Sequence, residues 1–90
     1  MSSRDDLMSR LRAEAHDCYS WSNGPGDTYA AHSHSFEKVL YCAAGSITFV
    51  IEPEHRAVVL QAGDRMVLGS GTVHSAVVGE EGCTCIEGRR

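Results

Sequence analysis

The spacing of apolar positions along this chain changes once, near residue 16. Before it, Leu7, Leu11 and Ala15 recur at i, i+4 and i+8. That spacing lays apolar side chains along one side of a helix. Ser3 stands where an N-cap is wanted, and Asp5 and Asp6 fall in the first turn, where the helix dipole favours acid. The pattern predicts a helix over 3–15. So short a helix is marginal alone, so its narrow stripe must pack on something. After residue 16 a two-residue alternation takes over. Strands are predicted over 16–22, with Tyr19 and Trp21 on one face, and over 27–34, 38–43, 46–52, 57–61, 65–68, 73–78 and 83–87. Asn23-Gly24-Pro25-Gly26 reads as a turn, Ala44-Gly45 as a hairpin connection and Pro53-Glu54 as a break. Alternation groups Thr28, Ala30, His32 and His34 on one face, Ile47, Phe49 and Ile51 on a second, Val58 and Leu60 on a third, and His74, Ala76 and Val78 on a fourth. Seven or eight short strands with tight turns and no helix between them predict an all-β antiparallel sandwich or barrel. The expected organisation is a helical extension over 1–16 and one barrel domain over 17–90.

Size and charge narrow the choice. Ninety residues make one domain. Such a chain buries roughly 60–65% of its unfolded surface, a thin core that association would help. The net charge is −4, from 8 basic and 12 acidic residues. No block of Lys and Arg offers a nucleic-acid surface, and the terminal Arg89-Arg90 pair is too short to make one. The longest uncharged run, 39–51, is too short to span a bilayer. The first ten residues are charged and lack the apolar core of a leader. The expectation is a cytoplasmic protein with no membrane partner. Cys18, Cys42, Cys83 and Cys85 are read as reduced, small apolar side chains. A disulfide between Cys83 and Cys85, on one face of a strand, would sit near the geometric limit. A redox or metal role for that pair is the alternative.

The chemistry concentrates in histidines. His32 and His34 stand at i, i+2, so a strand presents both on one face. His74 lies in a second glycine-rich stretch, G-D-R-M-V-L-G-S-G-T-V-H. Three imidazoles around one ion are a familiar catalytic or binding set, suited to Fe, Ni, Zn, Mn or Cu. His16 and His55 have no such context and are expected at the surface. Gly26-Asp27 and Gly63-Asp64 are read as turn makers. Tyr29 and Tyr41, on the opposite parity to His32 and Lys38, are read as packing or interface residues rather than acid/base groups.

These stretches resemble the two motifs of the cupin superfamily. The first motif is a glycine, five residues, H-x-H, three or four residues, a glutamate, six residues and a glycine; Gly26, His32, His34 and Gly45 fill their places. The second is a glycine, five residues, P-x-G, two residues, a histidine, three residues and an asparagine; Gly63, Gly71 and His74 fit. Residues 46–62 separate the two, as in compact cupins. The resemblance covers 26–78 and implies a cupin β-barrel, a jelly-roll-like double-stranded β-helix. Three positions depart from it. Lys38 occupies the glutamate slot with Glu37 one residue early, Gly69 occupies the proline slot, and Val78 the asparagine slot.

The resemblance implies a metal held by His32, His34 and His74 in an apolar pocket for a small molecule. Lysine in the glutamate slot leaves three arrangements open. Lys38 snorkels out of the barrel, or it stays near the metal and pairs with an anion such as hydroxide or a substrate carboxylate, or Glu37 swings in as a fourth ligand. Two functions stand side by side. One is a metal-dependent enzyme of dioxygenase, isomerase or lyase type acting on a small polar or anionic metabolite, with Lys38 as anion clamp or base. The other is a non-catalytic, small-molecule-binding or structural cupin with a degenerate metal site. Cupins commonly pair through their sheets, so a homodimer is expected.

Overall fold

The computed structural model describes residues 3–90. One helix, α1 (Arg4–Glu14), precedes six antiparallel strands: β1 (His16–Asn23), β2 (Thr28–His32), β3 (Lys38–Ile51), β4 (Arg56–Gln61), β5 (Arg65–Leu68) and β6 (His74–Arg89). The helix starts as the sequence predicts. The Ser3 hydroxyl accepts from the Asp6 backbone N–H at 3.1 Å, and the Asp6 carboxylate accepts from the Ser3 N–H at 3.4 Å, a reciprocal cap.

Two expected turns do not exist. The chain runs through Ala44-Gly45 without reversing, and likewise through 79–82, between the strands expected over 73–78 and 83–87, so β3 and β6 are single strands of 14 and 16 residues. The physical reason is bulging. The β3–β6 register shifts between Cys42 and Ala44 and again between Gly45 and Ile47. Gly45 and Gly82 both have positive φ, 69° and 76°, and a Cβ on Gly45 would overlap the Gly82 carbonyl. Glycine serves here for close approach of two backbones, not for chain reversal.

Each long strand therefore serves two layers. Residues 38–45 of β3 pair with β5 on one side and with 83–89 of β6 on the other, and β1 closes that layer. Residues 47–51 of β3 pair with β4 and with 74–78 of β6, and β2 closes the second layer. Two four-strand layers facing each other make the jelly-roll-like barrel. Its core contains Leu40, Cys42, Ile47, Phe49, Ile51, Leu60, Ala76, Val78 and Cys85, so the apolar rows expected on β3, β4 and β6 point inward.

The helix covers the outer face of the first layer. Leu7 and Leu11 are fully buried against Val39, Tyr41 and Ile86. Glu14, the last helical residue, accepts hydrogen bonds from Tyr41, Arg65 and Arg90. Tyr41 is thus a packing residue, as its parity implies. Cys18, Cys42, Cys83 and Cys85 are free thiols. No helix among the described residues is long and apolar enough to cross a membrane.

Leu11→Ala should lower the unfolding free energy in urea by about 2–5 kcal/mol, the usual range for emptying a fully buried leucine site. A loss below about 1 kcal/mol would mean that the helix is not docked on the barrel.

Candidate metal centre

Three imidazoles meet between the layers. His74 opens β6 and is buried, His32 ends β2 and is exposed, and His34 lies half-buried in the segment after β2. The expected strand over 27–34 stops two residues short, yet His34 still turns inward, its carbonyl held by the Gly71 N–H at 2.7 Å. Ring centroids are 4.9 Å apart for His32 and His34, 4.4 Å for His32 and His74, and 5.2 Å for His34 and His74. One nitrogen from each lies within 4.8 Å of the other two.

Backbone carbonyls set two of the tautomers. His32 Nδ1 donates to the Ala30 carbonyl at 2.7 Å and His74 Nδ1 to the Thr72 carbonyl at 3.0 Å. Each Nε2 keeps its lone pair, as a metal ligand requires. Burial lowers the pKa of His74 and of His34, with Lys38 adding to the effect on His34. Both rings therefore stay neutral to lower pH than a free imidazole.

Lys38 does not snorkel out. It opens β3 on the inner face, is 9% exposed, and its ammonium lies 3.0 Å from Glu87 Oε2. It also donates to His34 Nε2 across a long 3.4 Å. Glu37 does not swing in either. It faces away and accepts from Arg90 Nε at 2.6 Å, and it is absent from the imidazole cluster. None of the three arrangements describes it: Lys38 stays inside, as the second had it, but its partner is the protein's own Glu87 carboxylate rather than hydroxide or a substrate.

Glu87 is the residue that sequence reasoning missed. Its Oε1 accepts from Trp21 Nε1 at 2.7 Å and its Oε2 from the Tyr19 hydroxyl at 2.9 Å. Burial, with the carboxylate beside it, pushes the Tyr19 pKa up to about 12, so the phenol stays a donor. A signal existed. Cys83, Cys85 and Glu87 share a parity, so a carboxylate follows two small apolar residues into the core.

The cavity around these groups holds about 350 Å³. Trp21, Tyr19, Leu40, Lys38 and Glu87 line it from the first layer, and Tyr29, His32, Phe49, His74 and Ala76 from the second. Tyr29 corrects the expected parity. The β2–β6 register slips between Tyr29, opposite Ala76, and His32, opposite His74. One extra residue in β2 brings Tyr29 to the histidine face and leaves Thr28 and Ala30 off the cavity. His16 and His55 are exposed, as expected.

No family model and no curated protein matches the sequence. Solved structures match the fold. An RmlC-like cupin from Shewanella frigidimarina superposes with a TM-score of 0.71 at 22% identity, over 80% of this chain and 62% of its own. The DMSP lyase DddQ from Ruegeria pomeroyi gives 0.74 at 25%, over 81% of this chain and 36% of its own. The Drosophila melanogaster CENP-C cupin domain gives 0.76 at 16%, over 86% and 62%. The chain thus spans about three fifths of the first and about a third of the second.

Glu87→Gln should cost about 3 kcal/mol of unfolding free energy, because it strands a buried ammonium while keeping an oxygen for Trp21 and Tyr19. Adding Lys38→Met to that variant should recover most of the loss. A single variant within about 0.5 kcal/mol of wild type would show that the pair does not form.

Proposed function

Because the chain is a small cupin by fold, we propose that His32, His34 and His74 hold one divalent transition metal and that the cavity takes a small polar or anionic metabolite. The observation that carries this reading is the convergence of three imidazole nitrogens within 4.8 Å of one another on a cavity of about 350 Å³. The donor set fits a borderline ion of the Fe, Ni, Zn, Mn or Cu group. The ammonium in the slot where cupins usually carry a carboxylate does not spoil that fit. Glu87, 3.0 Å away, balances its charge, so an incoming cation meets a neutral pair rather than a bare positive group.

The metal, when bound, supplies a Lewis acid or a site for O₂. The chain's own residues do the rest. His32 and His74 are aimed by backbone carbonyls. Lys38 has three N–H donors, of which Glu87 takes one, and the long contact to His34 Nε2 would be released when that nitrogen binds the metal. Donors then remain for an oxygen of the ligand, which makes Lys38 the candidate anion clamp. Trp21, Tyr29, Leu40 and Phe49 wall the cavity with apolar surface and exclude water from the ligand's body. In this reading the protein is a metal-dependent enzyme of dioxygenase, isomerase or lyase type. It works as a homodimer, and its free thiols support a reducing compartment such as the cytoplasm. A second reading, a small-molecule-binding or structural cupin without chemistry, is favoured by one observation, the lysine in the carboxylate slot.

Elemental analysis of protein purified without chelators should find about one transition metal per chain, lost in His32→Ala/His34→Ala and in His74→Ala. An absence of metal in the wild-type protein, with no uptake of Fe(II), Ni(II), Mn(II) or Zn(II), would turn the assignment to the second reading. Metal retention should also survive acidification below pH 6.5, the ordinary imidazole pKa. The sign follows from the lowered pKa of His34 and His74: protons compete for their lone pairs only at more acid pH. Release of half the metal above pH 6.5 would contradict it.

A further inference from the structure

Three basic side chains gather at one end of the first layer. Lys38 opens β3, Arg89 closes β6 as its register partner, and Arg90 follows. Arg89 stands two residues beyond Glu87, so it shares the face of β6 that carries Glu87 to the cavity. Two of the three cations hold carboxylates. Lys38 holds Glu87 at 3.0 Å, and Arg90 holds Glu37 at 2.6 Å and Glu14 at 3.2 Å. Arg89 is exposed and holds no carboxylate among the described residues. Its guanidinium carbon lies 4.0 Å from the centre of the Phe36 ring, and that ring lies 5.2 Å from the His34 ring. Burial raises the pKa of Tyr19 in the cavity wall, and Arg89 is near enough to that phenol to oppose the rise. The heads of the paired cations diverge: Lys38 reaches inward to Glu87, and Arg89 reaches to Phe36, two residues ahead of the start of β3. Like charges directly opposite on a ladder are unfavourable, and at an exposed site an aromatic face holds a guanidinium only weakly.

We propose that Arg89 sets the ligand specificity of the cavity, taking the outer acid group of a small dicarboxylate whose inner acid group meets Lys38. The step rests on the proposed reading of the cavity as a site for an anionic metabolite, and it names the class of that metabolite. Charge is the first argument. Lys38 and Glu87 balance each other, so Arg89 leaves an excess of positive charge at the rim that a monoanion bound at Lys38 does not meet and a dianion does. Hydrogen bonding is the second. Arg65 and Arg90 spend N–H donors on carboxylates, whereas Arg89 meets only the face of Phe36. Its planar fork matches a carboxylate bidentately, which the ring cannot reproduce. The third is the wall. Trp21, Leu40 and Phe49 offer apolar surface to the body of the ligand, so its polar groups belong at its ends. A short carbon chain with an acid at each end meets all three conditions.

The single tryptophan, Trp21, lines the cavity and reports binding by its fluorescence. Titrations of the protein purified without chelators pair each diacid with the monoacid of equal length: succinate with butyrate, glutarate with valerate, and adipate with hexanoate. Wild type should bind at least one diacid about tenfold more tightly than its monoacid. Arg89→Met keeps a stem on Phe36 and removes the charge. It should weaken that diacid about tenfold while the monoacid moves by less than about twofold. Arg89→Lys, which keeps the charge without the fork, should restore part of the preference. Both variants should keep the circular dichroism spectrum and metal content of wild type, since the side chain is exposed. Equal binding of diacid and monoacid by wild type, or a preference that survives Arg89→Met, overturns the role of Arg89 and leaves the anion-binding cavity standing. Binding of neither kind of acid by wild type overturns the anionic ligand, and this inference with it.

Discussion

The buried pair of Lys38 and Glu87 is the interaction on which the rest of the site depends. An ammonium at 9% exposure and a carboxylate at 6% survive in a protein interior only with partners, because the loss of hydration costs several kcal/mol for each ion. Here the partners are shared out over the first layer. Lys38 opens β3, Glu87 closes β6, and Trp21 and Tyr19 reach the carboxylate from β1. Tyr19 and Glu87 are register partners, as are Leu40 and Glu87. A slip of one residue in any of these three strands would turn one member of the network to the outside. The network therefore fixes register as well as charge. It also sets the floor of the cavity, 3.4 Å from the nearest imidazole.

Two strands run through both layers, and glycine is what permits it. At Gly45 and Gly82 the backbones of β3 and β6 come closer than any side chain allows. The bulges on either side turn the strands from one layer into the other. The consequence for function is positional. Residues before the crossing in β3 and after it in β6 deliver Lys38 and Glu87. Residues on the far side deliver Phe49 and His74. The opposed walls of the cavity are thus two ends of the same pair of strands, and its width is set by one bend.

The sequence carried the helix, the strand-rich body, the apolar rows and the three histidines, because each rests on local periodicity or fixed spacing. Leu7 and Leu11, Ile47, Phe49 and Ile51, and His32, His34 and His74 all fall where the pattern puts them. What it did not carry are features decided by pairing. Gly45 reads as a turn in isolation and becomes a bulge only because β6 lies against it. Tyr29 reads as facing away from His32 until an extra residue in β2 shifts its phase. Lys38 reads as a misfit in a metal site until Glu87, nearly fifty residues later, comes to rest beside it. Glu37, the nearer carboxylate in sequence, is drawn outward by Arg90 instead. Charge balance across a fold is not visible in a motif that ends before the balancing residue begins.

The cavity itself argues for a ligand. A cleft of about 350 Å³, open to solvent beside the exposed Tyr19 and His32, is large for a 90-residue chain. The polar groups that line it carry their own cost, since Lys38, Glu87 and His74 are each buried and must be held by partners. A structural barrel would do better by filling that space with leucine and removing the ion pair altogether, an exchange that proteins tolerate or gain from. His74 adds to the case. It is 2% exposed, and its remaining lone pair is aimed into the cavity rather than at any group of the protein. A buried acceptor oriented by its other nitrogen and otherwise unemployed is a poor device for stability and a good one for holding something that arrives from outside.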